Sequence, residues 1–396
     1  MRLRTLDDVD PRGKRVLVRV DFNVPVEHGE VADDTRLRAA LATIQELRAK
    51  SARVVLLSHF GRPKGRRVEA MSLRFLVEPL SRLIGVPVAF AADCVGPEAM
   101  EAEKVLGDGD VLLLENLRFH AGEEENDPEF ARELAILGDI YVNDAFSAAH
   151  RAHASTEGIA RILPACSGRS MQTELEHLDK ALGSPERPVM GIVGGAKVST
   201  KLDLLENLVG KLQRLAIGGG MANTFLFAQG HDVGGSLCEK EMGGTARDIL
   251  EKARAKDCEI LLPTDVVVAR KLEPNAQSRI VGLEQIGPED SIFDVGPESL
   301  ERVLDAIAAS RTLIWNGPLG VFEVPPFDKG TVAAARKAGQ LAKAGKLVAV
   351  GGGGDTVAAL NAAGAADDFT FVSTAGGAFL EWMEGKTLPG VAVLES

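Results

Sequence analysis

With 396 residues, 45% of them hydrophobic and 26% charged, the chain is long enough for two or three domains with apolar cores. A net charge of −12 argues against a nucleic-acid binder held by long-range attraction and against docking on an anionic membrane. Any phosphate bound by so acidic a chain must be met by a local cluster of cations.

No run reaches the roughly 18 consecutive apolar residues of a membrane span. The opening MRLRTLDDVD lacks the apolar stretch of a signal peptide. Cys94, Cys166, Cys238 and Cys258 are scattered without metal-ligand spacing, so the expectation is a cytoplasmic chain with reduced thiols.

In chain order, short β-branched runs fall at residues 15–20, 54–58, 88–90, 111–114 and 140–143, then at 189–193, 215–217, 260–262, 312–315, 347–350 and 370–372. Most are continuously apolar, the pattern of parallel strands covered on both faces. Stretches between them, such as 35–50 and 246–256, carry helical periodicity with charged faces. The alternation predicts an α/β fold of two Rossmann-like, doubly wound parallel-sheet domains. The break lies between Pro164 and Pro188, where Leu175, Leu178 and Leu182 space a helix over 171–182 that joins the two halves.

In open α/β sheets ligands bind outside the carboxyl ends of the strands. In the first half the sequences there are DFNVP (21–25), SHFGRP (58–63), ENLRF (115–119) and NDAFSAAHRAH (143–153), with Arg36 following in DDTR. They gather His59, Arg62, Arg118, His150, Arg151 and His153. A single arginine is most often a solvated surface residue. Several at successive strand ends point to a small, multiply anionic ligand, because the guanidinium fork fits carboxylate and phosphate oxygens.

The second-half loops differ: GGAK (194–197), GGGMANTF (218–225), PTD (263–265), WNGPLGVFE (315–323), GGGGDT (351–356) and STAGGA (373–378). Glycine lets backbone N–H groups approach phosphate oxygens, and the following helix points its positive end at them. Lys197 and Lys201 lie four apart, which predicts that both project from one helix face. Asp355, closing a glycine run, suits a nucleotide-borne Mg²⁺. One glycine pair usually means only a tight turn, but several such loops with two lysines and a metal-type acid favour a nucleotide site. Gly385–Thr387 is not a P-loop, since Leu380 stands where its upstream glycine belongs. No loop satisfies G-x-G-x-x-G, which disfavours a dinucleotide dehydrogenase.

Together RVDFNVP, DDTR, SHFGRP, ENLRFHAGEE, NDAFSAAHRAHAS, GGAKVSTK, GGGMANTF, WNGPLGVFE, GGGGDT and STAGGA resemble the phosphoglycerate kinase family from the first strand to the C-terminus. The resemblance implies reversible, Mg²⁺-dependent phosphoryl transfer between 1,3-bisphosphoglycerate and ADP, giving 3-phosphoglycerate and ATP. It implies a triose-phosphate lobe over residues 1–168, an interdomain helix over 169–185 and a nucleotide lobe over 186–385, with the tail 386–396 returning to the first lobe.

By the same resemblance Asp21, Phe22, Asn23, Arg36, His59, Phe60, Gly61, Arg62, Arg118 and Arg151 line the triose site. Gly195, Lys201, Gly219, Asn316, Pro318, Glu323, Gly353, Gly354, Asp355 and Thr356 hold the nucleotide, with Glu323 on the ribose and Asp355 on the metal. Arg36 and Lys197, with the N–H groups near Gly354 and Gly376, are the implied catalytic set. A monomer is implied, with no nucleic-acid or membrane partner.

Three departures stand out: Ser147-Ala148 where Gly-Thr is usual, Ala375 for the first glycine of a triplet, and Ile292 at an adenine-pocket position that is often glycine. A catalytically idle nucleotide-binding relative is the alternative, but it would be expected to have lost Lys197, Arg36 or Asp355. The attacking carboxylate is already ionised at pH 7, so no general base is expected; positioning and charge neutralisation are the catalytic needs. Substrates on separate lobes imply hinge closure, expected at the 171–182 helix and near Thr374.

Overall fold

The structure is a computed structural model and describes residues 3–395. The chain divides into two compact units: residues up to Leu175 together with Thr387 onward, and Glu176–Lys386.

In the first unit β1 (Arg15–Arg19) is followed by the small hairpin β2 (Val26–Glu27) and β3 (Glu30–Val31). Then come β4 (Arg53–Leu57), β5 (Val88–Phe90), β6 (Val111–Leu113), β7 (Ile140–Asn143) and β8 (Ala165–Ser167). Six of these form one sheet in the order β5-β6-β4-β1-β7-β8, every pair parallel. Val16, Val18, Val54, Leu56, Val111, Leu113, Ile140 and Val142 face one core, packed with Leu37, Ile44, Leu47 and Leu80 from the helices. The alternate residues Leu17, Val55, Leu112 and Tyr141 are also buried, so both faces are covered. The strand runs therefore read as continuously apolar.

The second unit repeats the principle. Its strands are β9 (Val189–Gly194), β10 (Arg214–Gly218), β11 (Glu259–Leu261), β12 (Asp265–Ala269), β13 (Arg279–Gly282), β14 (Ser291–Val295), β15 (Thr312–Asn316), β16 (Val348–Gly352) and β17 (Phe371–Ser373). The main sheet runs β11-β10-β9-β15-β16-β17, all parallel. Counted in chain order within that sheet this is 3-2-1-4-5-6, the doubly wound dinucleotide-fold arrangement. β12, β13 and β14 form a separate antiparallel sheet, closed by Val266, Val268 and Val281 with Ile292 packed against them.

Two helical readings need adjustment. The 35–50 stretch is two helices, Thr35–Ala39 and Leu41–Ala49, meeting at Ala40. The joining helix begins earlier than its leucine spacing suggests, at Arg169, and runs to Leu178 before a wider turn over Asp179–Gly183. Arg169 anchors that start through Asp7 and Glu46. The C-terminal segment lies against the first unit: Gly390 donates from N–H to Ala149 O at 2.9 Å, and Asn143 Nδ2 donates to Gly390 O at 3.2 Å.

Candidate active site

In the first sheet the strand order reverses between β1 and β7, and the loops leaving those strands open a crevice there. The β1 loop carries Asp21, Phe22 and Asn23. Phe22 is fully buried and anchors the loop, its N–H donating to Ser58 Oγ at 2.9 Å. Arg36, on the first turn of Thr35–Ala39, reaches back to this loop: Nη1 donates to Asn23 O at 2.9 Å and pairs with Asp21 Oδ2 at 3.0 Å. From the far side of the crevice Ser147 Oγ donates to the same Asp21 carboxylate. The Ser147-Ala148 departure thus places a hydroxyl on the residue that orients Arg36.

The β4 loop joins this group through Asn23 Oδ1, which accepts from Gly61 N–H at 2.9 Å. Asn116, from the β6 loop, clamps Phe60 by accepting from its N–H and donating Nδ2 to its carbonyl at 2.7 Å. Arg118 Nη1 donates to Gly61 O at 3.0 Å. Arg62 and Arg151 are exposed, and neither side chain has a hydrogen-bond or ion-pair partner among the described residues. Asp21, Asn23, Arg36, Phe60, Gly61 and Arg118 are therefore linked by contacts, with two uncommitted guanidinium groups nearby in sequence.

The cationic field shows in the histidines. Burial, then the charges of Arg19 and Arg118, hold His59 well below its ordinary value. Burial, then Arg118, Arg19 and Arg151, bring His153 down to about 4. Both are neutral at pH 7. A crevice that suppresses further positive charge on its histidines is one that favours an anion.

In the second sheet the reversal falls between β9 and β15. The loops after them are locked by Lys201, whose Nζ donates to Gly194 O at 2.5 Å, Asn316 Oδ1 at 2.7 Å and Asn316 O at 3.2 Å. Asn316 in turn donates Nδ2 to Gly352 O at 2.9 Å, and Gly317 N–H donates to Thr356 Oγ1 at 2.7 Å. Gly195 and Gly219 meet through the same core of loops: Met221 N–H donates to Gly195 O and Gly219 N–H to Leu319 O. Gly353 has φ +96°, and a Cβ there would sit 2.7 Å from Asn316 Nδ2, so only glycine keeps this contact. Asp355 stands exposed on the first turn of the Gly354–Ala362 helix. Gly376 caps the start of Gly377–Met383, Glu323 is exposed in the turns beyond β15, and Pro318 follows Gly317 between them.

The expectation that Lys197 and Lys201 share one helix face is wrong. Lys197 has extended backbone (φ −137°, ψ 132°), a short 3₁₀ turn separates it from Lys201, and the helix begins at Leu202. Lys197 is exposed, while Lys201 is drawn inward by its three acceptors. The other departures are accommodated: Ala375 does not take a positive φ, and Ile292 belongs to the small antiparallel core.

A family model described as phosphoglycerate kinase matches residues 6–386. The chain belongs to the phosphoglycerate kinase family. It is 69% identical over 396 residues to the phosphoglycerate kinase of Caulobacter vibrioides (strain NA1000 / CB15N), covering 100% of both chains. Phosphoglycerate kinase from Coxiella burnetii is similar in structure, with TM-score 0.93 and 41% identity, covering 99% of each chain. That from Pyrococcus horikoshii OT3 has TM-score 0.80 and 31% identity, covering 99% of this chain and 98% of its own. The activity is accordingly that of a phosphoglycerate kinase, the glycolytic transfer of a phosphoryl group between 1,3-bisphosphoglycerate and ADP.

Sequence reasoning missed Arg19 and Glu123, both fully buried beneath the first crevice. Arg19 ends β1, inside a continuous apolar run. An arginine kept there is itself a signal, because a buried guanidinium needs arranged partners.

Proposed function

We propose that the first unit takes the three-carbon acid and the second takes the nucleotide, each at its strand-order reversal. The observation carrying this reading is the chemical division of the two crevices. One gathers guanidinium groups and neutral histidines, and the other interlocks glycine loops around Lys201 and Asn316. Asp21, Phe22, Asn23, His59, Phe60, Gly61, Arg62, Arg118 and Arg151 would then position the acid and its phosphate. Gly195, Lys201, Gly219, Asn316, Pro318, Glu323 and the Gly353–Thr356 turn would hold the nucleotide. Arg36 and Lys197, with the N–H groups at Gly354 and Gly376, would neutralise the phosphoryl group in transfer.

Members of this family generally use Mg²⁺ with the nucleotide. Among the described residues one trio of metal-type side chains converges, Asp93, Cys94 and His120, and its thiol and imidazole do not suit Mg²⁺. Asp355 offers a single exposed carboxylate. That donor set fits an ion that arrives on nucleotide phosphates and takes one protein oxygen. When bound, the ion would supply charge neutralisation across the phosphates.

Within this reading the chain works in the cytoplasm as a monomer. No helix among the described residues is long and apolar enough to cross a membrane, and the four cysteines are free thiols.

The division predicts a crossed pattern of binding. By titration calorimetry Arg62→Ala should weaken 3-phosphoglycerate about tenfold or more and leave Mg·ADP within about twofold, and Asn316→Ala the reverse. Equal weakening of both ligands by either variant would contradict the assignment.

Lys201 adds a pH dependence. Burial pulls its ammonium down to about 8 from an ordinary 10.5, with Asp355 acting in the opposite sense. Between those values the unfolded chain binds more protons than the folded one. Stability therefore rises with pH across that window, and the burial penalty is fully present below about 8. Nucleotide phosphates favour the charged form, so affinity for Mg·ADP should fall as pH rises through about 8. In Lys201→Met that fall should vanish, as read by calorimetric Kd between pH 7 and 9.5.

A further inference from the structure

Beneath the first crevice runs a chain of hydrogen bonds whose members come from four different strand ends. Arg19 closes β1, His59 follows β4, Glu123 lies on the short helix Ala121–Glu124 beyond β6, and Ser155 lies beyond β7. Arg19, Ser155 and Glu123 are wholly buried. Arg19 Nε donates to Ser155 Oγ at 2.9 Å, and Ser155 Oγ donates onward to Glu123 Oε1 at 2.6 Å. Ser155 N–H donates to the other carboxylate oxygen, Oε2, at 2.9 Å, and Tyr141 OH holds the Ser155 carbonyl at 2.7 Å. The serine hydroxyl thus has one orientation, accepting from the guanidinium and donating to the carboxylate.

At its other end the guanidinium meets His59: Arg19 Nη2 lies 2.9 Å from His59 Nδ1. A guanidinium has donors and no acceptor, so Nδ1 must offer its lone pair and the single ring proton must sit on Nε2. Nε2 makes no hydrogen bond to any described residue. A buried cation of this kind requires an opposing charge, and the carboxylate of Glu123 supplies it through the serine rather than by direct contact.

We propose that Glu123 and Ser155 are positioning residues for the triose half-site. They act through Arg19 to hold His59 as a neutral imidazole that presents Nε2–H as a hydrogen-bond donor to an anionic oxygen of the three-carbon acid. The proposal rests on the assignment of His59 to that half-site. Without the relay the Arg19 guanidinium keeps only its Nη1 bond to the Val20 carbonyl and can pivot about it, so Nδ1 loses its fixed donor and the ring samples both tautomers.

The test is ¹⁵N NMR of the histidine rings in the ligand-free, full-length protein, with His59 assigned by loss of its signals in His59→Gln. The wild type should show an unprotonated Nδ1 and a protonated Nε2 at neutral pH. In Ser155→Ala and Glu123→Gln that pattern should give way to a tautomer mixture. The KM for 3-phosphoglycerate should rise about tenfold, while the KM for Mg·ATP stays within about twofold. A wild-type ring protonated on Nδ1, or variants that keep the wild-type pattern, would overturn the relay. The wild-type spectrum decides this even if a variant fails to fold. A lost tautomer preference with an unchanged KM for 3-phosphoglycerate would leave the relay standing and overturn the role of His59 at the substrate.

Discussion

Arg36→Ala should lower kcat by about 10²-fold or more, the scale on which removing one preorganised electrostatic contact slows an enzyme. Its geometry explains why the loss should be large. One nitrogen of the guanidinium is committed to Asp21 and the Asn23 carbonyl, and Asp21 is itself held by Ser147. The side chain is thus fixed before any ligand arrives, and no reorganisation is needed when charge develops on the phosphoryl oxygens. Lysine should not rescue it, because an ammonium cannot hold Asp21 with one nitrogen and meet a phosphoryl oxygen with another. Steady-state kinetics at saturating concentrations of both substrates checks this. A kcat near wild type would show that Arg36 does not act on the transferring group.

Gly194→Ala should have a comparable effect for a different reason. Gly194 ends β9 at the second reversal point, and a Cβ there would run into the Pro318 carbonyl and the adjoining Gly317 backbone. Both obstacles are main chain, which cannot swing aside as a flexible side chain can. To relieve the clash β9 and β15 must part, and Lys201 then loses acceptors on both loops at once. The expected cost is at least about 3 kcal/mol of stability, the upper range for overpacking a tight interior. Affinity for Mg·ADP should fall sharply while 3-phosphoglycerate binding is retained. Urea unfolding followed by calorimetry with each ligand reads both effects. Wild-type stability together with wild-type Mg·ADP affinity would mean that the close approach of these loops is dispensable.

The main sheets and their strand-end loops were legible because parallel strands buried on both faces produce unbroken apolar runs such as VLV (16–18) and VVLL (54–57). Three kinds of feature were not. β8, Ala165–Ser167, is Ala-Cys-Ser between Pro164 and Gly168, without the β-branched residues that mark the other short strands. The antiparallel sheet of β12, β13 and β14 falls between residues 262 and 312, where the apolar runs predict no strand. Within it Ile280 is exposed beside buried Val281, a half-covered pattern easily taken for irregular chain. Contacts made by tertiary approach leave no periodic trace: Arg19 and Glu123 are separated by about a hundred residues and meet only through Ser155.

Lys197 and Lys201 show how spacing alone can mislead. Their spacing of four is helical only if the helix includes both, and glycines at 194 and 195 made an early start look natural. Instead the chain stays extended through Lys197 and turns once before Leu202. The two lysines therefore have different environments, one exposed and one half-buried among carbonyl oxygens. The candidate site residues were recognisable from the loops in which they stand. Which groups are held ready and which are already committed needed the fold.

The central claim is that this chain moves a phosphoryl group between ATP and the carboxylate of a three-carbon phosphorylated acid, with Mg²⁺ required. The direct test is ³¹P NMR of the purified protein with ATP and 3-phosphoglycerate, in the presence of Mg²⁺ and then with the ion chelated. The account predicts a new acyl-phosphate resonance and matching ADP only when 3-phosphoglycerate and Mg²⁺ are both present. ADP and inorganic phosphate formed without 3-phosphoglycerate, or no transfer while calorimetry shows both ligands bound, would contradict it.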